Sequence, residues 1–378
     1  YVWERGNRNL QYSLTDKDDV VNAIKYLAET TSTETSGSTG ATGESGGSQS
    51  GSDGSGTTGG SSTPDSNGNV NKVESAQVSK SQTNDSPISM GVSAHAYVVM
   101  DANSGEIIMS QDADKKIYPA STTKLLTAVV AIENCNLDRE IEVTQAALNK
   151  VDVESSIVGL RAGSTYTMEQ LLYMLLIVSA GDAAEVIAEE VAGSSEVFAT
   201  MMNEKAKQIG MTDSYFDNPV GMDWHSNAKI HSTAHDIAKL TQYAMANYEI
   251  RKIVRHSFYT VDNFYNGKSI TLGSTNGFLR KRKYADNLFT VIGSKTGTTD
   301  KAGFALTTTA KDNEGREVIC AFFGNSTRDK MYKDINRLLI NAYTTHKDEL
   351  QKGILNIRYP SVKDIMDQEI EKECSLAK

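Results

Sequence analysis

The 378-residue chain carries 38 Lys and Arg against 48 Asp and Glu, a formal net charge of −10, and 39% of it is hydrophobic. That length allows one large or two modest domains with a sizeable core, and the acidic balance excludes the basic face of a general nucleic-acid binder. No apolar run approaches the ~18 residues of a membrane span, and the three cysteines (Cys135, Cys320, Cys374) form no C-x-x-C or His/Cys cluster, so no metal site and no cofactor are expected.

Residues 1–30 hold one short helical pattern, with Val20, Val21, Ile24 and Leu27 on one face. The chain begins at Tyr1 rather than Met and reads as a mature form or a fragment, with any leader or anchor upstream. Thr31 to Asn69 is almost wholly Ser, Gly and Thr, with Ala41 and Pro64 as its apolar residues. Such a stretch cannot bury enough surface to offset its ordering entropy. It defines a flexible linker, extended to residue 90, whose Ser/Gly-rich part spans roughly 35 Å end to end. A linker before a compact domain suits an enzyme held away from a surface.

The compact domain is expected over 91–350. Ala94–Asp101 and Glu106–Gln111 flank the turn cluster Ala102–Gly105 and read as a β-hairpin. Ser121–Glu133 is a helix apolar nearly all round, which implies burial. Thr167-Met168-Glu169-Gln170 is a capping box opening a second apolar helix, with a break at Ser179–Asp182 before a helix over Ala183–Val191. Thr233 with Asp236 starts a helix through Ala246. Phe289–Ser294, Phe304–Thr309 and Val318–Phe323 read as consecutive strands, the last two joined by the Asp312–Gly315 turn, and Asp334–Tyr343 as a closing helix. Strands at both ends with helices between give an α+β fold: one antiparallel sheet built from both ends, flanked by helices, with an all-helical insertion. Residues 351–378 form a tail.

Three short motifs carry chemistry. Ser121-Thr122-Thr123-Lys124 is an S-x-x-K, and i and i+3 share a helix face, so hydroxyl and amine can meet. A serine needs a base to become a nucleophile, and a lysine is that base only if burial and the positive end of a helix depress its pKa. By itself the serine reads equally as an N-cap. The same pattern recurs at Ser226–Lys229 and Ser375–Lys378, but one is in a polar stretch and the other in the last four residues, where no lysine can be desolvated. Lys295-Thr296-Gly297-Thr298 ends a strand and offers an ammonium, hydroxyls and a bare backbone to a carboxylate, with Gly297 leaving room for a substrate backbone; a solvated strand end is the plainer reading. Ser179-Ala180-Gly181 sits between two helices, as a proton relay or simply a helix break. His231 and His235 are spaced i, i+4, but Thr233 caps a helix between them, so surface or capping roles are expected.

In their order along the chain, these motifs resemble the serine-type D-alanyl-D-alanine carboxypeptidases, the low-molecular-weight penicillin-binding proteins of the β-lactamase/transpeptidase-like superfamily. The likeness runs from Ala96 to about Ala342 and rests on Tyr118–Lys124, Val178–Ala184, Asn218-Pro-Val-Gly221, Ser232-Thr-Ala234, Gly293–Thr298 and Ala302-Gly303. It implies Ser121 as the acylated nucleophile, Lys124 as general base and Ser179 as proton relay. Lys295 and Thr296 would bind the substrate's terminal carboxylate, with Arg328 as a further ligand, and the N–H groups of Ser121 and Thr298 would form the oxyanion hole. Gly181 and Gly297 would line the substrate site. The implied partners are the D-Ala-D-Ala end of a peptidoglycan stem peptide and β-lactams as covalent inhibitors, in the cell envelope outside the cytoplasm.

The chain departs from the family pattern at Gly181, where Ser-x-Asn is usual and the Asn supplies an amide toward lysine and substrate. Ser274-Thr275-Asn276 fits Ser-x-Asn on paper but matches a different family segment. Ser361–Lys378 carries three lysines against five acids, a poor membrane anchor, so a membrane or wall tether is expected on the N-terminal side. Two alternatives stand beside the carboxypeptidase: a class A β-lactamase-like hydrolase, against which no E-x-x-L-N occurs between Glu196 and Asp223, and a catalytically weakened sensor or scaffold, for which Gly181 is the support.

Overall fold

Two strands from the start of the domain and three from its end make one antiparallel sheet. The computed structural model describes residues 91–224, 227–280, 284, 286–351 and 357–358. All of them fall within the unit Ser89–Lys378. The helical pattern at Val20–Leu27, the linker, Ser226, Ser375 and the acidic tail lie outside the described residues. Strands β1 (Ala96–Asp101), β2 (Ile107–Gln111), β7 (Phe289–Thr299), β8 (Gly303–Asp312) and β9 (Glu317–Asn325) order as β2-β1-β9-β8-β7. The expected hairpin and the three late strands are therefore neighbours in one sheet. Its first turn is fixed by the Asp101 carboxylate, which accepts the N–H groups of Asn103 and Ser104.

Strands β1 and β9 read as nearly continuous apolar runs because both faces of the sheet are covered. Along β1, Ala96, Val98 and Met100 enter one core, while Tyr97 and Val99 enter another. Along β9, Ile319, Ala321 and Phe323 face the first core, and Val318, Cys320 and Phe322 the second. This is the period-two alternation of a strand, resolved into two hydrophobic layers. The first core is shared with the insertion between β2 and β7. That insertion contains α1 (Lys124–Asn134), α2 (Gln145–Lys150), α3 (Met168–Ile177), α4 (Gly181–Ala192), α5 (Ser195–Ile209), α6 (Ala234–Met245), α7 (Tyr248–Val254) and the short α8 (Gly277–Arg280). The second core is closed by α9 (Arg328–Thr344), through Met331, Ile335, Leu338 and Leu339.

Helix α3 opens with the expected capping box: Thr167 Oγ1 accepts from Gln170 N, and Gln170 Oε1 accepts from Thr167 N. Thr233 caps α6 by accepting from Asp236 N. Helix α9 begins six residues before the expected Asp334, at the Thr327 cap. The insertion is not all-helical. It also holds two small antiparallel pairs, β3 (Glu140–Glu142) with β4 (Thr165–Thr167), and β5 (Phe258–Tyr265) with β6 (Lys268–Gly273). No helix among the described residues is long and apolar enough to cross a membrane.

Candidate active site

The buried helix does not start at Ser121. A 3-10 turn over Ala120–Thr123 runs straight into α1, so Ser121 and Lys124 keep their i, i+3 relation on continuous helical backbone. Lys124 Nζ donates to Ser121 Oγ at 3.0 Å. Ala120 adopts a φ of +47°, uncommon for a residue with a Cβ, and local strain of this kind persists only where the surroundings impose it. Two glycines leave room for it. A Cβ on Gly221 would stand 1.9 Å from the Ala120 carbonyl oxygen, and Gly221 itself needs a φ of +88°. A Cβ on Gly297 would stand 3.1 Å from both Ala120 Cβ and Pro119 O, and 3.3 Å from Ser121 N. The bareness of Gly297, read in the sequence as room for a substrate, is here used by the chain's own Pro119–Ser121 backbone. Strand β7 and the serine turn are thereby packed together.

Lys124 is 1% exposed. Its amine also donates to Val220 O at 2.9 Å. Val220 belongs to a turn knotted by Asn218, whose Oδ1 accepts the N–H groups of Val220, Gly221 and Met222. Thr127 Oγ1, one turn after the lysine, ties the same segment by donating to Pro219 O at 2.6 Å. The motif Asn218-Pro-Val-Gly221 therefore holds the lysine, a role that sequence spacing does not reveal. The Asn-Pro step and the glycine mark a turn, but nothing local says what that turn touches. Burial drives the Lys124 amine down to about 7, against the carboxylates of Glu185 and Asp182, which favour the ammonium. Burial likewise raises Glu185 to about 7, opposed by a hydrogen bond from Ser195 and by the charge of Lys124.

Lys295 on β7 is also 1% exposed and donates to Thr296 O at 3.0 Å. Its amine is held well below the ordinary lysine range, first by burial and then by the charge of Lys124. Thr296 Oγ1 donates to Thr275 Oγ1 at 2.7 Å, and Thr298 Oγ1 to Gly297 O at 2.7 Å. The segment Ser274–Asn276 thus meets the K-T-G strand through the threonine between its Ser and Asn. Arg328 is exposed at the first residue of α9, its guanidinium 5.5 Å over the ring of Phe304, the cross-strand partner of Thr298.

Ser179 lies between α3 and α4 with a φ of +67°. Its Oγ is buried and has no hydrogen-bond partner among the described residues. Helix α4 begins at Gly181, two residues before the expected start, and its first N–H donates to Ser156 O at 2.6 Å. The Asp182 carboxylate accepts the N–H groups of Val158, Gly159 and Leu160. A loop over 152–160 is thereby fastened to the start of α4. Chemically, the site offers a serine hydroxyl beside an amine that is partly neutral near pH 7. A second serine has a hydroxyl without a partner among the described residues, and a second lysine lies on a strand packed against the Ser121 turn.

The family model described as D-alanyl-D-alanine carboxypeptidase matches residues 80–327. The chain is 26% identical to the D-alanyl-D-alanine carboxypeptidase DacF of Bacillus subtilis, over 67% of this chain and 64% of that one. It is 31% identical to DacB2 of Mycobacterium tuberculosis, over 61% of this chain and 75% of that one. The chain therefore spans less than two thirds of the Bacillus relative. Among solved structures, a D-alanyl-D-alanine carboxypeptidase from Mycobacterium tuberculosis superposes with a TM-score of 0.61 at 26% identity, covering 70% of this chain and 96% of that one.

Proposed function

The chain belongs to the D-alanyl-D-alanine carboxypeptidase family, and from that premise we propose that it removes the terminal D-Ala of peptidoglycan stem peptides through an acyl-enzyme on Ser121. The observation that carries this reading is the buried Lys124 amine, 3.0 Å from Ser121 Oγ and driven down to about 7. A neutral Lys124 takes the serine proton as Oγ attacks the penultimate D-Ala carbonyl. The N–H groups of Ser121 and Thr298 receive the oxyanion, each such donor being worth roughly 3–4 kcal/mol of barrier. Ser179 passes the proton to the departing amine of the terminal D-Ala, whose carboxylate lies against Lys295 and Thr296, with Arg328 as an outer ligand. Water then attacks the ester, Lys124 again acting as base, and the trimmed peptide leaves. A β-lactam presents the same carbonyl and carboxylate and acylates the same oxygen.

The same reading places the enzyme in the cell envelope, with 91–350 as the catalytic domain, 31–90 as its linker and a membrane or wall tether on the N-terminal side. The test is intact-protein mass spectrometry with penicillin, alongside D-Ala release from a D-Ala-D-Ala peptide. An adduct mapping to Ser121 and absent from Ser121→Ala is expected. No adduct and no D-Ala release from the wild-type protein would sink the reading.

A further inference from the structure

Residue 181 has no side chain, and the structure fills the space beside it. A Cβ placed on Gly181 would lie 2.7 Å from Ser155 Cβ and 2.8 Å from Ser155 Oγ, with Val220 Cγ1 at 3.3 Å. The space a side chain at 181 would occupy is therefore taken by the side chain of Ser155, which arrives from the loop between α2 and β4. That loop is not loosely laid there. Ser156 O accepts from Gly181 N at 2.6 Å, and the N–H groups of Val158, Gly159 and Leu160 converge on the Asp182 carboxylate. Upstream, Ser155 N donates to Asp152 O at 3.0 Å, and Asp152 also accepts from Trp224 Nε1. The backbone on both sides of Ser155 is fixed.

The hydroxyl so delivered is buried and makes no hydrogen bond among the described residues. Two other hydroxyls share that condition at this site, Ser179 Oγ and Thr123 Oγ1. Buried polar groups are ordinarily satisfied, so such a cluster needs an explanation, and a substrate that supplies the missing partners is one. The position supports it. Ser155 packs on Gly181, two residues after Ser179, and the third wall is Val220, whose carbonyl holds the Lys124 amine at 2.9 Å.

We infer that Ser155 is a substrate-positioning residue: its hydroxyl binds the peptide group of the acyl donor from the place that a side chain at residue 181 would otherwise fill. A hydroxyl both donates and accepts, so it can meet either the carbonyl or the N–H of that peptide group. The inference rests on the acyl-transfer reading of the site. It adds that this chain transfers a polar contact from the helix start to the fastened loop, and that positions 155 and 181 exchange for one another.

Three variants test it, Ser155→Ala, Gly181→Asn, and Ser155→Gly combined with Gly181→Asn. Each is measured for acylation of Ser121 by penicillin, for kcat/KM of D-Ala release, and for thermal melting. Ser155→Ala is expected to lower both rates roughly tenfold, the effect of one lost hydrogen bond, at an unchanged melting temperature. Gly181→Asn, which must displace Ser155, falls at least as far. The combined variant, with room for the amide, recovers most of the loss. Wild-type rates in Ser155→Ala overturn the inference. A loss in Ser155→Ala that the folded combined variant leaves uncorrected also overturns it, because Ser155 is then packing alone. The wild-type arm is read separately: absence of any adduct there removes the acyl-transfer reading, and the inference with it.

Discussion

Replacing Lys124 by Met removes the proposed base and should stabilise the fold. An unfolded lysine ionises with a pKa near its ordinary 10.5, whereas the folded amine does so near 7. The sign follows from linkage: with the folded pKa depressed, the unfolded state binds more protons between those values, so wild-type stability rises with pH across that window. The cost of holding the ammonium is complete below pH 7, declines from 7 to 10.5, and is gone above. At about 1.36 kcal/mol per pKa unit, it amounts to on the order of 4 kcal/mol at pH 7. Methionine fills a similar volume without the charge. Two terms work against the gain. Val220 O loses its donor, at about 1–3 kcal/mol for a buried acceptor. Glu185 loses a nearby cation, so it takes up a proton more readily and returns part of the benefit. The net expectation is a gain of roughly 1–3 kcal/mol at pH 6–7, turning into a loss of up to about 2 kcal/mol by pH 10, where the ammonium cost is nearly gone and the Val220 term remains. Urea unfolding across that pH range, with penicillin acylation followed in parallel, measures both sides. Acylation is expected to vanish while the unfolding midpoint rises near neutral pH. A midpoint at pH 6.5 that is unchanged or lower would refute the claim that desolvation of this amine dominates its energetics.

Three further outcomes follow from the same geometry. Glu185→Gln removes a carboxylate that favours the Lys124 ammonium, so the base becomes neutral at lower pH; the acid limb of kcat/KM, expected near pH 7 in the wild type, should move down in a pH-rate profile. Gly297→Ala places a methyl 3.1 Å from Pro119 O and Ala120 Cβ; displacing the serine turn should cost about 1–3 kcal/mol in unfolding experiments and lower acylation at least tenfold. Gly221→Ala would put a Cβ 1.9 Å from a backbone oxygen at a φ of +88°, and should cost more than about 3 kcal/mol, read as a large fall in melting temperature.

What the sequence revealed divides by range. The central sheet was legible because its strands alternate or run apolar between turn signals, and α3 and α6 because their caps are local hydrogen bonds written into four consecutive residues. Ser121 and Lys124 were legible because i, i+3 is a helical distance whether the turn is 3-10 or α. The 3-10 turn itself was not, since the φ of +47° at Ala120 goes with a close backbone approach that Gly221 and Gly297, distant in the chain, leave room for. Strands β3 and β4, three residues each, are too short to show a period. Strands β5 and β6 are largely exposed and lack a clean apolar face. Helix α5 passed unread although Ser194 and Gly210 bracket it as a cap and a left-handed stop. The lysine's carbonyl partner, 96 residues away, and the Thr275–Thr296 contact carry no local signature.

The site's unfavourable features are held in place by ordinary ones around it. Three non-glycine residues with positive φ, Ala120, Ser179 and Ser294, stand just before Ser121, the Ala180–Gly181 helix start and Lys295. Two lysines are stripped of water, and three hydroxyls lack partners among the described residues. Each is costly alone, and hydrogen-bonded anchors hold the segments around several of them: Asn218 the turn carrying Val220, Asp182 the loop carrying Ser155, and the β7–β8 ladder Lys295. The anchors make their hydrogen bonds within the fold itself, so they keep the unsatisfied groups from relaxing toward one another. Under the proposed function, a substrate would supply the interactions that the fold withholds from itself. On this account, a variant that weakens an anchor, such as Asp182→Asn, should reduce acylation by more than its modest effect on melting would suggest.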